Sequence, residues 1–152
     1  MTDHQLRLIE GCYVTDSSGC HRYDFWNEQF LFDGSPHTGW GSASRNASQP
    51  EYLDIDLGDV SVPLRIRLQR RAVPVIKTGF PIALRVIAYP EGGGEKTVLT
   101  AEGIEVEAGG WFEADLEPVA TRRIRVETGG VAIRPSGKYF TQIMQMQFLE
   151  AK

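Results

Sequence analysis

The sequence predicts an all-β protein: an antiparallel β-sandwich of the jelly-roll kind, with about eight main strands in two sheets. Three observations predict it. Short runs rich in Val, Ile, Leu, Tyr and Phe recur along the chain, and clusters of Gly, Pro, Asp and Ser separate them. Several of the runs also alternate apolar with polar residues, the period of two that a half-buried strand requires. The 152 residues fit one domain over 1–152, long enough to bury a core without disulfides or a structural metal.

Taken in order, the first stretch with helical character is residues 24–32, DFWNEQFLF, where Phe25, Gln29 and Phe32 share a face over a turn or two. Strand patterns follow at 52–57, 64–69, 82–89, 96–100, 111–116, 122–128 and 143–149. In three of them the exposed parity carries arginine. Leu64, Ile66 and Leu68 alternate with Arg65 and Arg67; Leu84 and Val86 flank Arg85; Ile124 and Val126 alternate with Arg123 and Arg125. These arginines read as solvated sheet faces and not as a nucleic-acid patch. Trp111, after Gly109-Gly110, is expected to open a strand and pack inward, and Phe80 and Phe140 to plug the core beneath loops.

Charge and composition narrow the functional classes. A net charge of -4 gives no electrostatic reason to expect nucleic acid or an anionic membrane as partner. No apolar run approaches the roughly 18 residues of a membrane-spanning helix. MTDHQLRLIE lacks the pattern of a signal peptide, so the chain as given is expected to be unprocessed; a domain excised from a secreted protein would read the same way, and localisation stays open. Cys12 and Cys20 are the only cysteines, too few for a structural zinc site; they read either as a disulfide closing a short loop or as two thiols. His21 beside them reads as an ordinary histidine near a turn. His4, His21, His37 and the serines 42, 44 and 48 form no nucleophile signature, and no catalytic activity is expected.

Two regions carry candidate binding chemistry. In LFDGSPHTGW, Asp33-Gly34 marks a tight turn; Asp33, Thr38 and the carbonyls between them are the kind of oxygens that surround a hard cation such as Ca²⁺. The other reading is an Asp33 that holds its turn by accepting backbone N–H bonds. Further on, LQRR ends a strand with Arg70 and Arg71, a long connection contains Lys77, and a late loop presents Tyr139. Arginine offers forked donors for paired hydroxyls and an aromatic ring offers an apolar face, a combination that suits a neutral polyol. Pairing of Arg70 and Arg71 with surface acids is the plainer alternative.

The order LFDGSPHTGW, QPEYLDIDLGD, LRIRLQRR, GFPIALRVIAY, RRIRVET and IMQMQFLE resembles the coagulation factor 5/8 type C, or discoidin, domain family. Its bacterial relatives include the family 32 carbohydrate-binding modules, with a galactose-binding-like β-sandwich. The resemblance implies a lectin-like, non-catalytic module that recognises a terminal sugar of a glycan through its end loops; the alternative is a protein-interaction or assembly module of the same fold, its oligomeric state open. It places the sugar-binding arginine at Arg70, or at Arg71 if the register slips by one, and the stacking aromatic at Tyr139. The family's histidine after the tryptophan is absent, with Arg45 or Asn46 as substitutes and Lys77 as a further contact. The resemblance also implies a structural Ca²⁺ on Asp33, the backbone around Ser35 and Pro36, and Thr38. A glutamate in the last strand would complete it, but Gln145 stands there, and losing a carboxylate weakens such a site.

Overall fold

The structure, a computed structural model, describes residues 2–21, 24–73, 79–129 and 138–152. Eleven strands are found among them, all pairing antiparallel. One sheet runs β1 (Leu6–Leu8), β11 (Gln145–Ala151), β5 (Arg65–Gln69), β8 (Trp111–Asp115). The other runs β2 (Tyr13–Ser17), β4 (Glu51–Ser61), β9 (Thr121–Gly129), β6 (Ala83–Pro90), β7 (Lys96–Ala101). A two-residue ribbon pairs β3 (Trp40–Gly41) with β10 (Gln142–Ile143).

Alternation decides which residues meet between the sheets. Leu53, Ile55 and Leu57 of β4, Val86 of β6, and Ile124 and Val126 of β9 pack with Ile66 and Leu68 of β5 and Met146 and Phe148 of β11 in one buried cluster. Burying each such side chain contributes about 1.5–3 kcal/mol, so this interleaving is the main force holding the layers together. The opposite parity lies on the outer faces, where Arg85 and Arg123 are exposed and Arg65, Arg67 and Arg125 are part-buried in ion pairs. Arg125 forks onto Asp54 at 2.7 and 2.8 Å, Arg65 binds Asp115 at 3.0 Å, and Arg85 lies 3.6 Å from Glu127.

One expectation, for Trp111, is overturned, and two others take definite form. Residues 24–32 contribute a single 3₁₀ turn, Glu28–Phe32, capped by the Asn27 side chain accepting from the Gln29 N–H at 2.9 Å. Trp111 faces outward, because Phe112 is the residue opposite core Leu68; the Trp111 ring lies under the Arg67 guanidinium, 4.5 Å from its centroid. Cys12 and Cys20 are free thiols, and burial pushes the Cys12 thiol up to about 12. Phe80 and Phe140 are buried, as core plugs would be.

A bulge in β4 between Asp56 and Ser61 sets up a titratable anchor. Gly58 takes φ 90°, a left-handed conformation that glycine adopts at little cost, and its N–H reaches Asp56 Oδ1 at 2.8 Å. Arg122 Nε donates to the same oxygen at 3.0 Å. Burial alone would push the Asp56 carboxyl up, but the Gly58 N–H and the Arg122 guanidinium together hold it below its ordinary value. A carboxylate with a depressed folded pKa contributes its full stability above the unfolded pKa and loses it as pH falls through the folded one. Urea midpoints from neutral to acid pH should therefore fall more steeply below about pH 4 in the wild type than in Asp56→Asn.

Candidate functional site

The ribbon of β3 and β10 organises one end of the sandwich. The Gly41 carbonyl accepts the His21 N–H at 2.7 Å, and the Gly41 N–H donates to the Trp26 carbonyl at 3.2 Å, so one residue ties both ends of the 21–26 segment. Beside it the Ser42 N–H donates to the Thr141 carbonyl, and the Thr141 N–H donates to Ser42 Oγ, each at 2.8 Å. Gln142 N–H reaches the Gly79 carbonyl at 2.9 Å. A Cβ at Gly79 would lie 1.7 Å from the Phe140 carbonyl oxygen, so only glycine lets the two chains approach this closely.

These tethers frame a small cleft of about 70 Å³ lined by His21, Trp26, Gly41, Arg71, Phe140 and Gln142. The Arg71 guanidinium carbon lies 4.9 Å from the Trp26 ring centroid. Stacking on an indole fixes the plane of the guanidinium while leaving its N–H edge available. Among the described residues no hydrogen bond or ion pair engages that edge. Gln142, 3 % exposed, has an Oε1 without a hydrogen-bond partner among the described residues. The cleft therefore offers forked cationic donors, an amide and aromatic walls, which match vicinal hydroxyls on a ring with apolar C–H edges.

The predicted ligand residues divide. Arg71 lines this cleft. Arg70 does not: its side chain binds the Val106 carbonyl and lines a separate depression with Phe80 and Ile104. Position 70 continues the parity of Ile66 and Leu68, which turns it toward the core side of the sheet, away from Arg71. Tyr139 and Arg45 are brought together by a backbone bridge, with N–H···O distances of 2.7 and 2.9 Å, one residue from Phe140. The Arg45 side chain is engaged inward, donating to the Glu51 carboxylate at 2.9 Å and the Ser18 carbonyl at 3.1 Å. Asn46 accepts from the Lys138 ammonium. Lys77 lies outside the described residues. His21, Trp26 and Gln142 are cleft residues that sequence reasoning missed, and Phe140 was read only as a core plug.

The Arg45–Glu51 pair makes a prediction of its own. Glu51 is 2 % exposed, so Arg45→Ala would leave a carboxylate in the interior with, among the described residues, the Ser18 hydroxyl at 3.1 Å as its remaining hydrogen-bond donor. The expected cost is about 2 kcal/mol, below that of a fully buried pair because Arg45 is part-exposed. Urea denaturation checks it.

The residues of the cation expectation are also assembled. Asp33 Oδ1 accepts the Ser35 N–H at 2.9 Å, and Asp33 Oδ2 accepts the Thr38 hydroxyl. The Gln145 carboxamide sits below, its Oε1 accepting the Gly34 N–H at 2.9 Å and its Nε2 donating to Asp33 Oδ1 at 2.8 Å. Pro36 lies in the exposed turn between them. Among the described residues no group of three or more His, Cys, Asp or Glu is placed to hold a metal.

A larger cleft, about 790 Å³, lies between β1 and the β4 bulge. Glu10, Asp59 and Glu150 line it without an aromatic residue, and its Arg7 is paired with Glu150 at 2.9 Å. It lacks the free donor fork and the stacking surface found beside Trp26.

No protein-family model and no curated protein matches the chain. Solved structures do. A family 32 carbohydrate-binding module from Clostridium perfringens NanJ, in complex with galactose, is 18 % identical with a TM-score of 0.70 over 95 % of this chain and 99 % of that one. CpGH89CBM32-5 from the same organism, in complex with GalNAc-beta-1,3-galactose, is 11 % identical with a TM-score of 0.70, covering 97 % and 96 %. A fragment of a putative chitobiase from Bacteroides thetaiotaomicron is 16 % identical with a TM-score of 0.74, covering 100 % and 98 %. The chain has the antiparallel β-sandwich fold of the family 32 carbohydrate-binding modules, the galactose-binding-like discoidin fold.

Proposed function

We propose that the chain is a non-catalytic carbohydrate-binding module that takes a terminal sugar of a glycan in the cleft of Arg71, Trp26, His21 and Gln142. The observation that carries this reading is the Arg71 guanidinium, seated over the Trp26 ring with its donor edge unengaged among the described residues. Its fork spans two adjacent hydroxyls, Gln142 supplies a further polar group, and the Trp26 and Phe140 walls meet the C–H edges of a ring. A cleft this small, well below the roughly 300–1,000 Å³ of an enclosing ligand pocket, engages one edge of one residue, which suits a chain end. The two complexes of like fold, with galactose and with GalNAc-beta-1,3-galactose, make those sugars the first to try.

Calorimetric titration with galactose, N-acetylgalactosamine and that disaccharide, backed by a glycan array, tests the reading. Saturable binding that Arg71→Ala weakens is the expected result; absence of binding to every arrayed glycan contradicts it. Leu8, Val60 and Val62, 40–45 % exposed at the other end, favour a protein-interaction or assembly module as the second reading. A stable oligomer in light scattering, without sugar binding, would select it.

A further inference from the structure

We infer that the Gln145 carboxamide occupies the place of the structural cation beneath the Asp33 turn, so that this domain holds the turn without a metal. The geometry around one nitrogen carries the inference. Gln145 Nε2 lies 2.8 Å from Asp33 Oδ1, 2.9 Å from the Phe30 carbonyl and 2.7 Å from the Met144 carbonyl. Three oxygens, two from the turn that ends at Asp33 and one from the residue before Gln145, thus converge on one centre, as they would on a small cation, and the centre is an –NH₂ whose two hydrogens they share. Gln145 is 3 % exposed, so the group is fixed in place and not a solvated side chain.

The orientation of the amide follows from its neighbours. Oε1 accepts the Gly34 N–H at 2.9 Å. Turning the amide over, to present its oxygen to a cation, would set Nε2 against that N–H, donor against donor, and Oε1 against three other oxygens. Asp33 has little left to offer either, since Oδ1 accepts from Ser35 N–H and Nε2 and is filled, and Oδ2 accepts from the Thr38 hydroxyl and keeps a single lone pair. A cation entering here would have to break this set with a single carboxylate to offer in return, and Ca²⁺ affinity falls with ligand charge. The donors of Gln145 do the cation's work: they neutralise the inward-facing oxygens and tie β11 to the turn before β3.

Thermal unfolding in millimolar CaCl₂ and in EDTA tests this. The wild-type midpoint should be the same in both, because only a ligand that binds the folded state shifts it. Gln145→Glu sets a carboxylate against the Asp33 carboxylate and two carbonyls. Its midpoint should drop by several degrees in EDTA and recover in CaCl₂ but not in KCl of equal ionic strength. Gln145→Leu should drop by a similar amount and stay low in CaCl₂. A wild-type midpoint that rises with CaCl₂ overturns the inference, as does a Gln145→Leu midpoint equal to wild type or a folded Gln145→Glu indifferent to CaCl₂. None of these measurements involves the sugar cleft, so the inference stands or falls apart from the proposed function.

Discussion

Replacing Arg71 by alanine is expected to weaken sugar binding about 30-fold while leaving the thermal midpoint close to that of the wild type. Hydrogen bonds from a charged donor contribute roughly 1.5–3 kcal/mol each when made in a partly desolvated site. Losing the guanidinium fork should therefore cost about 2 kcal/mol, which is the stated factor. Stability should barely move, because among the described residues Arg71 spends its guanidinium on no hydrogen bond or ion pair, and Trp26 is the ring it lies over. Arg71→Lys keeps the charge and loses the fork, so a loss of roughly tenfold is expected from it. Trp26→Ala should resemble Arg71→Ala in affinity, since without the indole the guanidinium is no longer held in one plane. Arg70→Ala should leave affinity alone, because Arg70 lines a different depression. Calorimetry on the four variants separates these outcomes.

The largest loss of stability is expected from Trp40→Ala, about 3–5 kcal/mol by urea denaturation. Trp40 is fully buried, and it stands in β3 opposite Ile143, which is likewise fully buried. Its indole Nε1–H donates to the Gly19 carbonyl at 2.9 Å, closing the loop before His21 onto the ribbon. Truncation therefore leaves a cavity and an unpaired backbone carbonyl together. In a domain of this size the change should lower the midpoint by about 10 °C. Trp40→Phe, which restores most of the volume but not the N–H, should recover most of that loss.

The strands with a clean period of two were legible in the sequence to within a residue or two, except β4, which runs through its bulge four residues past Leu57, and so was the outward parity of Arg65, Arg67, Arg85, Arg123 and Arg125. The short elements were not. β3 and β10 are two residues each, too short to show any period, and their pairing is set by chain segments about a hundred residues apart. β2 is mostly exposed at an edge of its sheet, so it carries no apolar alternation to read. Trp111 was misdirected by its neighbours: Gly109-Gly110 mark a turn but say nothing about parity, which Phe112 opposite Leu68 decides.

The candidate site was only half legible for a related reason. An arginine after β5 was visible, yet choosing between Arg70 and Arg71 requires knowing that the strand ends at Gln69 and which face position 70 inherits. His21 and Trp26 come from an irregular segment whose place is fixed by hydrogen bonds to Gly41, and no local pattern announces those bonds. The polar loop after Trp40, read as a source of sugar contacts, instead feeds the interior through Arg45 and Glu51. A buried glutamate at the first position of β4 was the available signal, since such a carboxylate needs a cationic partner.

The most direct test is a two-dimensional ¹H–¹⁵N NMR titration with galactose or the disaccharide, following the indole N–H signals of the three tryptophans and the Arg71 Nε–H. Saturable shifts of Trp26 and Arg71, with Trp40 and Trp111 unmoved, are the predicted result. Shifts centred on Trp111, or binding that leaves Trp26 and Arg71 unmoved, would place the sugar elsewhere and contradict the assignment of the cleft.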